Sequence, residues 1–368
     1  ISNKKPPHGD PQGGLSWDAG FSGITLVFRL INQLIGRNPW HFGPQVCTHF
    51  LDRMRVGFSA EILDFLLTTL HPAVGKLTGL DIFKNALHFR FGFIGHNAPS
   101  PDGALLAWSF DDKGSEYFTI CVRKLTDAQD MTDRLTDTTG AAVWSADNKF
   151  LFYVAVDENH RPANVMRHRL GTDQRDDICV YREADAGFFV SIDDTRSGRF
   201  VIISAHDHET SECWLIPAHA PEAAPICVAP RTLGIEYDVD DDVNNNALVI
   251  VTNWAPEGRA EDFLVATAPV PTRDADMSSW QILRAHTHGC LVLDAVPFAN
   301  FTAFLVRENA LPRILVENKT TGETSAIDFP EEAYDLSFGA MGQYDTATLR
   351  FIYASMTTPA QTIDYDMG

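Results

Sequence analysis

Residues 143–174, VWSADNKFLFYVAVDENHRPANVMRHRLGTDQ, decide the fold. Two strand-like runs, Phe150–Val156 and Asn164–Leu170, flank a polar turn, Asp157-Glu158-Asn159-His160-Arg161-Pro162. A third run, Ala141–Trp144, precedes them across Ser145-Ala146-Asp147-Asn148. β-branched and aromatic runs of this length, bounded by Asp, Asn, Gly or Pro, read as antiparallel strands joined by tight turns. A sheet of three or four such strands cannot bury both its faces alone. It must stack on copies of itself, and the chain holds those copies.

Working outward, the strongest strand recurs as Leu105–Phe110, Phe150–Val156, Phe200–His206, Ala247–Trp254, Phe301–Arg307 and Leu349–Ser355. A second run follows each, at Tyr117–Leu125, Asn164–Leu170, Glu212–Ala218, Asp262–Ala268, Arg313–Lys319 and Gln361–Met367. A turn rich in Asp, Asn or Gly precedes every copy, as in Ser100-Pro101-Asp102-Gly103 and Thr195-Arg196-Ser197-Gly198. Self-similarity at roughly 40–50 residues with about four strands per unit predicts a mainly β fold, a β-propeller of four-stranded blades. The G-H…W-D and paired-glycine marks of WD40 and kelch blades are absent.

The chain has 368 residues, of which 45% are hydrophobic, the composition of a globular protein with a real core. No apolar run approaches the ~18 residues that would suggest a membrane helix. Lys4-Lys5 is separated from the apolar run Ile24–Ile35 by polar sequence, unlike a signal peptide. The first residue is Ile1, so the expected natural start lies upstream. Six scattered cysteines (47, 121, 179, 213, 227, 290) form no C-x-x-C pair. Cys121 and Cys179 read as buried small hydrophobes, and the set as free thiols in a reducing, cytoplasmic setting.

The net charge of −20 is uneven. Residues 1–95 hold nine Lys/Arg and six Asp/Glu, leaving 20 and 43 for residues 96–368. So acidic a surface argues against nucleic acid and anionic membranes as partners; it suits either simple solubility or attraction of basic ligands. Residues 1–95 also lack tyrosine, and offer two helix-like pieces, Ile24–Ile35 and Ala60–His71, with Pro72 ending the second.

Local signatures in the blades resemble the N-terminal propeller of the prolyl oligopeptidase family, oligopeptidase B in particular. They are Pro99-Ser100-Pro101-Asp102-Gly103 with Asp111, Gly114, Glu116 and Thr119-Ile120, then Val143-Trp144-Ser145-Ala146-Asp147 with Arg161-Pro162, Val165 and His168-Arg169-Leu170-Gly171-Thr172. Thr210-Ser211-Glu212 and Ser355-Met356-Thr357-Thr358-Pro359 continue the series, which covers about 97–368. The resemblance implies seven blades, six of them recognisable, seated over an α/β-hydrolase domain of a serine peptidase. It also implies short peptide substrates and, for oligopeptidase B, cleavage after Arg or Lys. Residues 1–95 match neither the family's upstream segment nor its first blade, and form an atypical N-terminal segment. They read as a divergent extension, a fused unrelated segment or an out-of-frame translation, the last two preferred. The sequence stops at Gly368, where the last blade would finish, so the hydrolase domain is expected to be missing and the chain to be inactive alone.

Chemistry sought directly yields no catalytic, cofactor or metal residue. The G-x-S triplets Gly14-Leu15-Ser16, Gly20-Phe21-Ser22 and Gly57-Phe58-Ser59 do not complete G-x-S-x-G. His206/His208 and His286/His288, the latter near Cys290, could chelate a metal from one strand face but read as solvated loop residues. Asp238–Asn246 mimics the start of a calcium loop, lacks its Gly and Glu, and reads as an inter-strand turn. Gly75-Lys76-Leu77-Thr78 lacks P-loop spacing, and the sequons at Asn300 and Asn318 are expected to be unused. Trp108, Trp144, Trp214 and Trp254 read as packing between blades. Two functions follow: the substrate-gating propeller of an oligopeptidase B-like peptidase, or a free-standing propeller that binds peptides or proteins. A degenerate gene is a rival to the second.

Overall fold

A computed structural model describes residues 93–340 and 343–368 of the chain. The expectations for the N-terminal segment, including its helices, the G-x-S triplets, Gly75–Thr78 and Cys47, lie outside the described residues.

Among the described residues six blades follow one another. The first holds β1 (Phe93–Pro99), β2 (Leu105–Asp111), β3 (Phe118–Lys124) and the first half of β4 (Asp130–Trp144). The second holds the rest of β4 with β5 (Phe150–Val156), β6 (Pro162–Arg169) and β7 (Ile178–Arg182). The third holds β8 (Phe189–Asp194), β9 (Phe200–His206), β10 (Ser211–Pro217) and β11 (Ile226–Cys227). The fourth holds β12 (Tyr237–Asp242), β13 (Ala247–Ala255), β14 (Gly258–Pro269) and β15 (Gln281–Arg284). The fifth holds β16 (Cys290–Pro297), β17 (Phe301–Glu308), β18 (Leu311–Asn318) and β19 (Thr324–Ala326). In the sixth, β20 (Tyr334–Phe338), β21 (Thr348–Ser355) and β22 (Gln361–Asp366) pair as a three-stranded sheet. Every strand pairs antiparallel with its sequence neighbour, so each blade is a meander.

The first two blades share one seven-stranded sheet because β4 belongs to both. Its start pairs with β3 (Ile120↔Leu135, Cys121↔Arg134) and its end with β5 (Val143↔Phe152, Trp144↔Leu151). The register shifts between Thr138 and Ala142, where Gly140 takes φ +91°. A Cβ there would stand 2.8 Å from Ser109 Oγ and 3.0 Å from Phe118 Cγ, so only glycine lets the strand turn.

The meander fixes two faces. Each inner strand starts on an upper face and ends on a lower one, and a fourth strand brings the chain back up. On the lower face the inner turns repeat one chemistry. Ser100 Oγ donates to Asp102 (2.6 Å) and accepts from Leu105 N; Ser145 does the same with Asp147 (2.7 Å) and Phe150 N. In the third blade Thr195 Oγ1 accepts from Phe200 N (3.2 Å). Gly103, Asn148 and Gly198 supply the left-handed φ that closes these turns. On the upper face Asp111, Asp157 and Asp207 each accept backbone N–H groups of their own hairpin. The Asp, Asn and Gly punctuation visible in the sequence is thus a set of Asx and Ser/Thr turns.

Alternate residues of each strand bury against the neighbouring blades. Val143, Phe152, Val154 and Val165 of the second blade meet Val190, Ile192, Val201 and Ile203 of the third. Phe200, Ile202 and Leu215 meet Tyr237, Leu248 and Ile250 of the fourth. Phe301, Ala303 and Ile314 of the fifth meet Leu336, Leu349 and Phe351 of the sixth. At about 1.5–3 kcal/mol for each large apolar side chain buried, these inter-blade layers hold the array together. Trp144 is buried between the first two blades, and Trp214 and Trp254 pack at the edges of inter-blade clusters, as expected of them, whereas Trp108 is buried among Ile94, Leu106, Phe110 and Cys121 of its own blade.

Two expectations need correction. Asp238–Asp242 is not a turn but strand β12; the turn is only Val243–Asn246. Tyr237, Val239 and Asp241 point inward, and Asp241 is held by Ser197 Oγ (2.6 Å) and Arg199 (3.3 Å) from the preceding blade. Partners in the neighbouring blade make an acidic strand tolerable. Cys179 is exposed, because it lies on β7, the outer edge of its sheet, whereas Cys121, Cys213 and Cys227 are buried.

Candidate functional site: an acidic cup on the propeller axis

One side of each inner strand faces a channel, so polar residues interrupt its apolar run. In β8, Val190 and Ile192 are buried while Ser191 and Asp193 are exposed. In β12, Tyr237 and Val239 are buried while Asp238 is exposed. In β16 a register shift between Val292 and Asp294 turns Leu293 and Asp294 outward together. The result is a cavity of about 840 Å³ bounded by the third, fourth and fifth blades. Asp193, Asp238 and Asp294 line its wall, and Val251, Phe263 and Leu291 supply apolar surface. His206, Asp207 and Thr210 lie at the upper end.

The carboxylates reach water yet stand among protein walls, which disfavours the charged form. Burial pushes Asp238 and Asp294 above the usual carboxylate range, and the nearby charge of Asp238 adds to the rise at Asp294. Lower on the same strands, burial raises Asp194 to about 6, with Asp193 beside it adding repulsion, and Asp240 to about 7. His206 lowers Asp238 in part, but among the described residues no Lys or Arg lines the cavity. A wall of uncompensated carboxylates with apolar patches attracts a cation carried on an organic chain.

The histidine pairs weighed for metal binding go elsewhere. His206 ends β9 and is exposed; His208 lies in the hairpin turn after it. His286 and His288 approach Asp262 Oδ2 at 3.6 and 3.7 Å, an oxygen that also accepts from Gly289 N (2.7 Å). Cys290 begins β16, half-buried. Among the described residues no group of three His, Cys, Asp or Glu side chains is placed to hold a metal ion. No described helix is long and apolar enough to cross a membrane. The cup residues were missed in sequence because they converge from three blades; their one signal is an Asp within each of the strands that precede three of the strong runs.

A family model described as "Prolyl oligopeptidase, N-terminal beta-propeller domain" matches residues 80–368. Dipeptidyl aminopeptidase BI of Pseudoxanthomonas mexicana is 33% identical over 74% of this chain and 36% of its own length. Protease 2 of Moraxella lacunata is 29% identical over 72% and 37%. Among solved structures, oligopeptidase B from Leishmania major superposes with a TM-score of 0.71 at 26% identity, covering 79% of this chain and 41% of that one. Oligopeptidase B from Trypanosoma brucei, in a closed form with covalently bound antipain, gives 0.68 at 27% identity, covering 77% and 40%. The chain therefore spans about two-fifths of the length of the proteins it resembles.

Proposed function

The chain belongs to the prolyl oligopeptidase family, whose N-terminal β-propeller domain it forms, and from that premise we propose that it is the substrate-gating part of a peptidase that cleaves short peptides after basic residues. Its relatives extend well beyond the propeller. The sixth blade as described has three strands; a fourth would return the chain to the upper face, where a catalytic domain would sit over the mouth of the cup. The acidic cup is the observation that carries the reading: it faces that mouth and favours peptides bearing Arg or Lys. An aperture framed by rigid blades admits extended peptides and excludes folded chains. Domain closure over such a cavity excludes water and completes a site. The nucleophile and its base would come from the catalytic domain. The free cysteines among the described residues support a reducing, cytoplasmic setting.

The test is peptide binding to the purified chain by fluorescence anisotropy. Short Arg- or Lys-containing peptides should bind at least ten-fold more tightly than Glu-containing analogues. The double variant D238N/D294N should erase the difference. Equal affinity for both peptides would sink the basic-substrate reading. Turnover of an Arg-containing reporter that a serine-directed inhibitor blocks would overturn the assignment of catalysis to a separate domain.

A further inference from the structure

We propose that Gln343 and Tyr344 form a clasp across the lower mouth of the channel, so that peptides enter and leave the cup from the upper face alone. The clasp gathers lower-face loops of four blades. Arg196 lies in the turn between β8 and β9 of the third blade, and its Nη2 donates to the Gln343 carbonyl of the sixth at 2.8 Å. Those blades stand three positions apart, so the contact reaches past the loops of the fourth and fifth blades that lie between them. Beneath the guanidinium lies the Phe298 ring of the fifth blade, 4.1 Å away. Arg196 is half-buried, and a cation partly shielded over an aromatic face is held more strongly than a fully exposed pair.

Tyr344 fastens the other side. Its hydroxyl donates to Asp242 Oδ1 and accepts from Val243 N of the fourth blade, both at 3.2 Å. Its carbonyl accepts from Ala299 N of the fifth blade at 3.2 Å. Lys319 braces the seat by donating to Asp242 Oδ2 (2.8 Å) and to the Phe298 carbonyl (2.6 Å). Asn244 ties the fourth and fifth loops directly through the Ala299 carbonyl (2.7 Å). Apart from Asp242 at the end of β12, these bonds join turns, so the clasp can open without unfolding a blade. The clasp as a structure does not depend on the peptidase reading; its part in peptide traffic rests on it.

Hydrogen exchange of the whole chain, read by mass spectrometry, tests the structure. The amides of Val243 and Ala299 should exchange slowly in the wild type. Y344F should speed Val243 at least ten-fold while leaving Ala299 protected by the backbone carbonyl. Exchange of both amides at unstructured-peptide rates in the wild type would overturn the clasp. The traffic is tested with a short Arg-containing peptide: R196A/Y344A should raise its association and dissociation rates at least two-fold without changing Kd, because a second mouth opens. Unchanged rates, with Val243 and Ala299 deprotected in the same variant, would show that the clasp does not gate. Failure of the peptide to bind wild type would sink the peptide-binding reading and with it the gating role, leaving the exchange result to decide the clasp.

Discussion

The imidazole of His168 touches the carboxylate of Asp177, Nδ1 to Oδ1, at 2.7 Å, while its Nε2 faces Asp133 Oδ1 at 3.1 Å. All three side chains are buried. With a carboxylate oxygen on each side, both ring nitrogens must donate, which only the imidazolium can do. Asp133 belongs to the first-blade half of β4 and His168 to the second blade, so the charged ring staples the two. Burial alone would depress its pKa, but the hydrogen bonds to Asp177 and Asp133 raise it above the ordinary value. The sign follows: the staple is complete below about pH 6.5 and is lost as pH climbs through the raised folded value. H168Q should cost about 2–4 kcal/mol at pH 6, less at pH 9, in urea unfolding. An equal cost at both pH values would refute a charged staple.

Asp240 should behave oppositely. Its Oδ1 accepts from Arg196 N (2.9 Å) and Asp241 N (2.7 Å), but burial holds its pKa at about 7. A folded pKa above the unfolded value of about 3.9 means stability declines as pH rises through that window. D240N keeps the acceptor and removes the charge. It should stabilise the chain by roughly 2 kcal/mol at pH 8, after allowance for channel water, and by nothing measurable at pH 4. Thermal melts at the two pH values decide it.

Gly140 is the joint through which β4 passes from one blade to the next. Gly140→Ala combines a left-handed backbone with a Cβ 2.8 Å from Ser109 Oγ, itself the acceptor for His96 N. The expected loss is about 2–4 kcal/mol. Ala at Gly103, whose φ is +69° in open space, should cost only about 1 kcal/mol. Equal losses at the two sites would contradict the crowding.

Arg231 clamps the second blade to the third. Its Nη2 reaches Glu183 at 2.6 Å and Glu212 at 2.9 Å, and its guanidinium lies 4.0 Å from the Phe188 ring centre. R231A leaves two buried carboxylates unpaired and should cost about 2–4 kcal/mol, while R231K should recover less than half, lacking the planar fork. Denaturant unfolding of the two variants checks both the loss and the shortfall.

The strong strands were legible because their signal is local. Phe150–Val156 and Phe200–His206 coincide with β5 and β9, since an apolar run between Asx-type turns has one conformation that buries it. What escaped was set by neighbours distant in sequence. Asp238–Asp242 carries turn composition, yet Ser197, Arg199, Arg196 and Lys319 from other blades satisfy it as a strand. Cys179 has the residue type of a core and the position of an edge. The cup combines Asp193, Asp238 and Asp294 from three strands far apart in sequence.

Among the described residues strand pairing runs only between sequence neighbours. Each blade can therefore form with little loop-closure entropy, and the array can grow from any nucleus by adding the adjacent blade. The clasp is the exception, since Tyr344 and Asp242 stand 102 residues apart and Arg196 and Gln343 stand 147 apart. Those contacts reward the chain only after the intervening blades are in place. The clasp thus forms only once the third to sixth blades stand together, and is the first long-range contact to be undone.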